Sequence, residues 1–230
     1  MSICLIPARG GSKRIPRKNI RDFDGKPLIG WSIETALNSG EFSRVIVSTE
    51  DAEIADIARH FGAEVPFDRP TELADDHTTT IAVVRHALDW LEREDALPDT
   101  LCCLYATAPF ASVQDIQTGM GMLANAEFAV PVTSFPYPIQ RALSVSEAGR
   151  LAMIEPSNYE TRSQDLPEAW HDTGQFYCGR TSAWRTELTL LGPASAAIKI
   201  PRWRVQDIDT EEDWILAEIY FRVLKELKGD

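Results

Sequence analysis

The sequence predicts a three-layer α/β domain, helices on both faces of a mostly parallel sheet, and three observations carry that reading. Short apolar runs alternate with amphipathic helical stretches from residue 3 to residue 133. The runs Ile3 to Ile6, Arg44 to Ser48, Thr100 to Tyr105 and Phe128 to Thr133 are apolar at consecutive rather than alternate positions, as in strands buried on both faces. A chain of 230 residues, 44% hydrophobic and 25% charged, is also long enough to bury one large core.

Ile3-Cys-Leu-Ile6 reads as a central strand, stopped by Pro7 and then Gly10-Gly11. Leu28, Trp31, Ile33, Ala36 and Leu37 have helical spacing, and that helix ends near Gly40. Arg44 to Ser48 is the second strand. Thr49 or Asp51 can cap the following helix, Ala52 to Phe61, whose Ile54, Ile57, Ala58 and Phe61 share a face before Gly62. Ala63 to Phe67 reads as a short third strand, at an edge because Pro66 cannot donate. A polar segment from Asp68 to Thr80 precedes a helix over Ile81 to Leu91. Strand Thr100 to Tyr105, helix Val113 to Asn125 and strand Phe128 to Thr133 complete the alternation.

From Ser134 the pattern is broken by Pro136, Pro138, Pro156 and Pro167, and two short apolar pieces around Ser146 to Gly149 read as a hairpin. We therefore expect one domain over residues 1–230 with an inserted excursion at about 135–172. Strands return at Gly174 to Cys178 and Ala196 to Ile200, and an amphipathic helix runs from Glu211 to about Leu227.

The formal net charge of -12 argues against a nucleic-acid or anionic-membrane partner, each of which needs a basic face. The four cysteines show no C-x-x-C spacing, and adjacent Cys102 and Cys103 should point to opposite sheet faces. Thiols filling core volume in a reducing compartment is the expectation. The opening apolar run is too short for a leader or a membrane span, so a cytoplasmic location is expected.

Against that acidic background, Arg9, Lys13, Arg14, Arg17, Lys18 and Arg21 crowd one loop with no acid among them. A glycine-bearing, cation-rich loop leaving a buried strand builds an anion site, and the expected ligand is a polyphosphate. The spacing is neither that of a Walker A loop nor G-x-G-x-x-G. Farther on, Asp207 and Asp209 share one face of an extended segment, a pair of hard oxygen ligands suited to Mg²⁺. Asp209 with Glu212 reads equally as an N-cap and its capping-box partner, and the two readings can coexist.

The loop resembles the signature A-R-x-x-S-K-x-x-P-x-K-N of the sugar-activating cytidylyltransferases, which make CMP-linked sialic acids and related 2-keto sugar acids. Ala8, Arg9, Ser12, Lys13, Pro16, Lys18 and Asn19 match it. The resemblance implies a nucleotide-diphospho-sugar-transferase-like fold. It further implies that Ala8, Arg9, Gly10, Gly11, Ser12, Lys13, Lys18 and Asn19 hold CTP, with Lys18 and Arg9 stabilising charge on the phosphates. Asp207 and Asp209 correspond to the family's metal ligands for Mg²⁺. Asp209 or a metal-bound hydroxide would take the acceptor's proton. Arg14 and Arg17 fall at variable positions, where solvated side chains are expected. Asp68 to His77 resembles the family's R-P-x-x-L-A-x-D, which sets Arg69 near the base, and Thr79 and Thr80 at the next helix start would contact CTP.

On the acceptor side, sialic-acid-activating members carry L-Q-P-T-S-P-L-R, whereas this chain has Leu104-Tyr-Ala-Thr-Ala-Pro-Phe-Ala111. Tyr105 replaces the Gln and Ala111 the Arg, which points away from sialic acid. Together with Tyr137 to Arg141 and Gln164 to Tyr177, the stretch resembles the branch that activates pseudaminic acid. The acceptor candidates are Tyr105 and Thr107, with Arg141 and Arg162 for the sugar carboxylate and Gln140, His171 and Gln175 for hydroxyl or amide groups. The implied reaction is attack by the anomeric hydroxyl of a nine-carbon 2-keto sugar acid on the α-phosphate of CTP, in a homodimer paired through the excursion. The alternatives are a sialic, legionaminic or Kdo-activating enzyme and a non-catalytic nucleotide-binding regulatory module.

Overall fold

The computed structural model describes residues 1–186 and 188–228; Glu187, Gly229 and Asp230, inside the expected domain range, lie outside the described residues. In chain order the elements are β1 (Ser2–Pro7), a small hairpin β2 (Asp22–Phe23) and β3 (Lys26–Pro27), α1 (Leu28–Asn38), β4 (Arg44–Ser48), α2 (Ala52–His60), α3 (Thr80–Arg93) and β5 (Thr100–Leu104). There follow α4 (Val113–Met122), β6 (Phe128–Ser134), β7 (Leu143–Val145), β8 (Leu151–Met153), β9 (Trp170–Asp172), β10 (Phe176–Arg180), α5 (Thr181–Trp184), β11 (Ser195–Lys199) and α6 (Glu211–Lys228).

The main sheet has the order β11-β6-β10-β5-β1-β4, with β9 paired to β6. Strands β4, β1 and β5 are mutually parallel, and β6 is parallel to β11. Between these two groups β10 is antiparallel to both neighbours, so every strand of the two groups points the same way. The carboxyl ends of β1, β4, β5, β6 and β11 therefore share one rim, where open α/β sheets bind ligands.

Both faces of the sheet are covered. On one, Cys4, Ile6, Val47, Leu104 and Phe176 pack with Ile29 and Ile33 of α1, Ile54 and Ala58 of α2, and Ile116 of α4. On the other, Ile3, Leu5, Ile46, Leu101 and Phe128 pack with Val84, Leu88 and Leu91 of α3 and Trp184 of α5. Cys102 and Cys103 fall in opposite clusters, as the strand period requires. All four cysteines are buried free thiols. Helix α6 packs through Trp214, Ala217 and Phe221 against Ile15, Phe23 and Leu28, which clamps the basic loop from outside the sheet. Among the described residues no helix is long and apolar enough to cross a membrane.

Two local expectations are corrected. Ala63 to Phe67 does not form a strand. It is reduced to isolated bridges, Ile46 with Glu64 and Thr49 with Asp68, because Pro66 between them has no N–H to extend the ladder. The capping box of α6 is shifted by one residue. Thr210 Oγ1 accepts from the Asp213 N–H at 3.2 Å and Asp213 Oδ2 accepts from the Thr210 N–H at 2.8 Å, so Thr210 and Asp213 cap the helix and the Asp209 carboxylate is not consumed by it. The expected hairpin is present as β7 and β8, paired Leu143 to Met153 and Val145 to Leu151. Strand β9, inside the expected excursion, rejoins the main sheet through Val132 to Asp172 and Thr133 to His171.

Candidate active site

A cleft of about 630 Å³ opens at the carboxyl end of β1, lined by the basic loop, the segment before α3, the end of β5 and Asp209. The loop is held in shape by acids from the turn between β4 and α2 and from the first turn of α2. Gly10 N donates to Glu50 Oε1 at 2.7 Å, and Asn19, itself buried, donates Nδ2 to the Arg9 carbonyl at 2.9 Å. A Cβ at Gly10 would stand 2.5 Å from Asp51 Oδ2, so only glycine fits against that carboxylate. Arg17 sits in the left-handed region at φ 56° and forks onto Asp51 and Glu53, with Nη2 to Asp51 Oδ1 at 3.0 Å. The Arg17 hydrogen bond is the main reason that the Asp51 carboxyl lies below its usual range. Arg17 is thus a brace for the loop and not a solvated charge.

Four cations of the loop, Arg9, Lys13, Arg14 and Lys18, face the cleft. Arg9 and Lys13 both meet the Asp76 carboxylate, at 2.5 and 2.6 Å. The Lys13 and then the Arg9 hydrogen bonds hold its pKa down at about 2. Asp75 Oδ1 accepts from the N–H groups of His77 and Thr78 at 3.0 and 2.7 Å, an Asx-type turn that presents Asp76. Lys18 Nζ donates to the Ile208 carbonyl and lies 3.3 Å from Asp209 Oδ1. Arg14 pairs with Asp209 Oδ2 at 2.9 Å. Arg14 and Asp76 are therefore part of the cleft although the sequence reading left Arg14 to solvent and gave Asp76 no role.

Arg69 lines the cleft but is only 5% exposed, with Nε donating to Ser48 Oγ at 3.1 Å and Nη2 to the Ser48 carbonyl. Burial lowers its pKa. Thr79 uses its hydroxyl to cap α3, accepting from the Ala82 N–H at 3.2 Å. The Thr80 hydroxyl is 2.6 Å from the Tyr105 hydroxyl. Burial raises the Tyr105 phenol to about 12. Ser12 and Thr107 line the cleft, while Ala8, Gly10 and Gly11 do not: Ala8 is buried and donates its N–H to the Ser48 carbonyl at 3.0 Å, and Gly11 is exposed.

Asp207 does not line this cleft. Its carboxyl is held above the usual range by desolvation first and by the Asp209 charge second, although the residue keeps exposed surface. Among the described residues Asp207 forms no ion pair, and no group of three or more His, Cys, Asp or Glu side chains could hold a metal by itself. Both oxygens of the Asp209 carboxylate are engaged by Lys18 and Arg14, so a divalent cation held there would have to displace them and take most of its shell from phosphate and water.

The remaining acceptor candidates are not brought into the cleft. Gln140 donates to the Pro167 carbonyl at 3.0 Å, Arg141 to Ser163 Oγ at 3.3 Å, and Arg162 to Asp165 at 2.7 Å, all contacts within the excursion. His171 packs at a tilt against Phe135, 4.7 Å between ring centroids, and borders a separate cleft of about 440 Å³ with Thr133, Trp203 and Tyr220. Gln175 is buried and donates Nε2 to the Arg204 carbonyl at 2.7 Å, which ties β10 to the turn leading into Asp207.

The cytidylyltransferase family matches residues 3–174. The chain is 46% identical over 225 residues to the pseudaminic acid cytidylyltransferase of Campylobacter jejuni serotype O:2, across 96% of this chain and 97% of that protein. It is 40% identical over 240 residues to the CMP-N,N'-diacetyllegionaminic acid synthase of Legionella pneumophila, across 94% of each. A solved CMP:2-keto-3-deoxy-manno-octonic acid synthetase complexed with CTP shares the fold at TM-score 0.69 and 19% identity, across 98% of this chain and 99% of that one. Matches of this extent, on a chain whose basic cleft opens at the strand rim, place it in the cytidylyltransferase family of nucleotidyl-transferring enzymes.

Proposed function

We propose that this enzyme transfers CMP from CTP to the anomeric hydroxyl of a nine-carbon 2-keto sugar acid, pseudaminic acid, and releases pyrophosphate. The observation that carries the reading is the convergence of Arg9, Lys13, Arg14 and Lys18 with Asp209 in one cleft at the end of β1. The acid itself is inferred from the Campylobacter jejuni relative and from Tyr105 and Ala111 at the acceptor positions.

In this reading the C2 oxygen of the acid bonds to the α-phosphorus while the α–β phosphoanhydride bond breaks, and pyrophosphate carries away the electron pair. Arg9 and Lys13 hold the departing phosphates, which exchange with Asp76 as the anion between them. Lys18, fixed by the Ile208 carbonyl, faces the α-phosphate and neutralises charge that grows in the transition state. Asp209 is the candidate acceptor of the hydroxyl proton. Because the Gly10 N–H is committed to Glu50, that glycine serves the loop's shape and not a phosphate bond. Asp207 and Asp209 would hold Mg²⁺, which when bound supplies positive charge at the phosphate oxygens.

We also propose a homodimer paired through residues 135–172. Tyr137 at 81%, Val145 and Leu151 at 67% and Tyr159 at 69% exposed leave an apolar surface there that a second copy could cover. A cytoplasmic location fits four cysteines that are all free thiols. The test of the mechanism is substitution with CTP binding followed by calorimetry. Lys18→Ala should lower kcat by about 10²–10³-fold with CTP still bound, the scale of one lost transition-state donor. Asp209→Ala should bind CTP without turnover. A wild-type kcat in either variant would remove that residue from the mechanism.

A further inference from the structure

Two residues outside the cleft are joined to its acceptor wall. Tyr177, 7% exposed on β10, donates its hydroxyl to Asp172 Oδ2 at 2.6 Å. The ring of Tyr177 meets that of Tyr105 edge to face, 5.7 Å between centroids at 84°. Tyr105 in turn closes on Thr80 at the start of α3, hydroxyl to hydroxyl at 2.6 Å. Asp172 thus begins a contact chain that ends at two residues lining the cleft. It is also the last residue of β9, the strand by which the chain returns from residues 135–172 to the main sheet opposite Val132.

We propose that Asp172 is a positioning residue for the acceptor half of the site: through Tyr177 it seats Tyr105 against Thr80, and so sets the fit of the sugar acid without touching CTP. The proposal rests on the acceptor reading of Tyr105 given above. The physical argument is one of satisfaction and rigidity. A phenol buried this deeply needs an acceptor, and Asp172 offers a charged one, which makes the stronger bond. With the Tyr177 ring fixed, the edge contact leaves Tyr105 one packed orientation. Burial and the Asp172 bond both hold the Tyr177 proton in place, and burial does the same for Tyr105, so the pair donates and shapes and does not act as a base. Because the carboxylate belongs to β9, the seating of residues 135–172 on the sheet is transmitted to the cleft wall by the same contacts.

The test compares Asp172→Ala, Asp172→Asn and Tyr177→Phe with the wild type in steady-state kinetics, each variant first shown to be folded by its thermal transition. Asp172→Ala should raise KM for the sugar acid about tenfold and KM for CTP by much less, because Tyr105 is the group loosened while Thr80 keeps its place in the first turn of α3. Tyr177→Phe, which keeps the ring, should reproduce that split. Asp172→Asn still presents an acceptor oxygen to the phenol and should recover most of the loss. Equal rises in both KM values, or an unchanged KM for the acid in Asp172→Ala and Tyr177→Phe, would overturn the proposal.

Hydrogen exchange separates this outcome from failure of the functional reading. Peptides covering residues 78–84 and 104–107 should exchange faster in Tyr177→Phe than in wild type whether or not any acid is turned over. Wild-type exchange in those peptides refutes the positioning role, whereas a wild-type enzyme inert to every acid refutes the substrate assignment and leaves the exchange result to stand by itself.

Discussion

Replacing Arg204 by Met tests how the turn that leads into Asp207 and Asp209 is anchored. Arg204 forks onto Asp115 at the start of α4, Nη1 to Oδ2 at 2.5 Å and Nη2 to Oδ1 at 3.0 Å, and its Nη1 reaches Ser112 Oγ at 3.2 Å. The two side chains are only 16% and 11% exposed. Stripping the partner from a fully buried charge costs about 3–5 kcal/mol. Here Asp115 keeps the Ser112 hydroxyl at 2.6 Å and the positive end of α4, so the expected cost is about 2–3 kcal/mol. For a chain of this size each kcal/mol shifts Tm by about 2–4 °C, hence about 4–12 °C in all. Urea unfolding of Arg204→Met, Asp115→Asn and the double variant measures the coupling, expected at about 2 kcal/mol. Coupling below about 0.5 kcal/mol would show that the fork is not what holds the turn.

Two further outcomes are expected. At Gly179 a Cβ would stand 2.6 Å from both Phe128 Cδ1 and Trp184 Nε1, two buried rings, so Gly179→Ala should destabilise by about 1–3 kcal/mol in urea unfolding. Gly121→Ala, whose Cβ meets nothing within 4 Å, is the control and should be neutral or stabilising. His86 is held below its ordinary 6.5 by burial first and then by the Arg93 and Arg69 charges. The unfolded chain therefore binds that proton more readily, and the contribution of neutral His86 is complete above pH 6.5 and fades as pH falls below it. Unfolding of His86→Gln followed between pH 5 and 7 should show a shallower loss than wild type, and parallel curves would count against the assignment.

What was legible in the sequence follows from how local each cause is. Strands β1, β4, β5 and β6 are buried on both faces, so their residues carry the signal themselves. The basic wall of the cleft was legible for the same reason, since its residues from Arg9 to Asn19 come from one loop. The direction of β10 was not, because it is set by pairing with β5 and β6 and by nothing in Phe176 to Arg180. Nor was the Asp76 contact with Arg9 and Lys13, which lie more than sixty residues away in the chain. At the last helix two capping patterns overlap one residue apart, and only the hydrogen bonds of Thr210 with Asp213 separate them. Gln140, Arg141 and Arg162 have partners inside residues 135–172, so a motif match to that stretch could not say whether they reach the cleft.

The most direct test of the account is pyrophosphate release by the purified enzyme with CTP and Mg²⁺, offered pseudaminic, legionaminic and sialic acids in parallel, with UTP as the base control. The account predicts release with CTP and pseudaminic acid and none when UTP replaces CTP. Release with a different acid alone would contradict the assignment of Tyr105 and Ala111 to pseudaminic acid, and no release with any acid would contradict the proposed reaction.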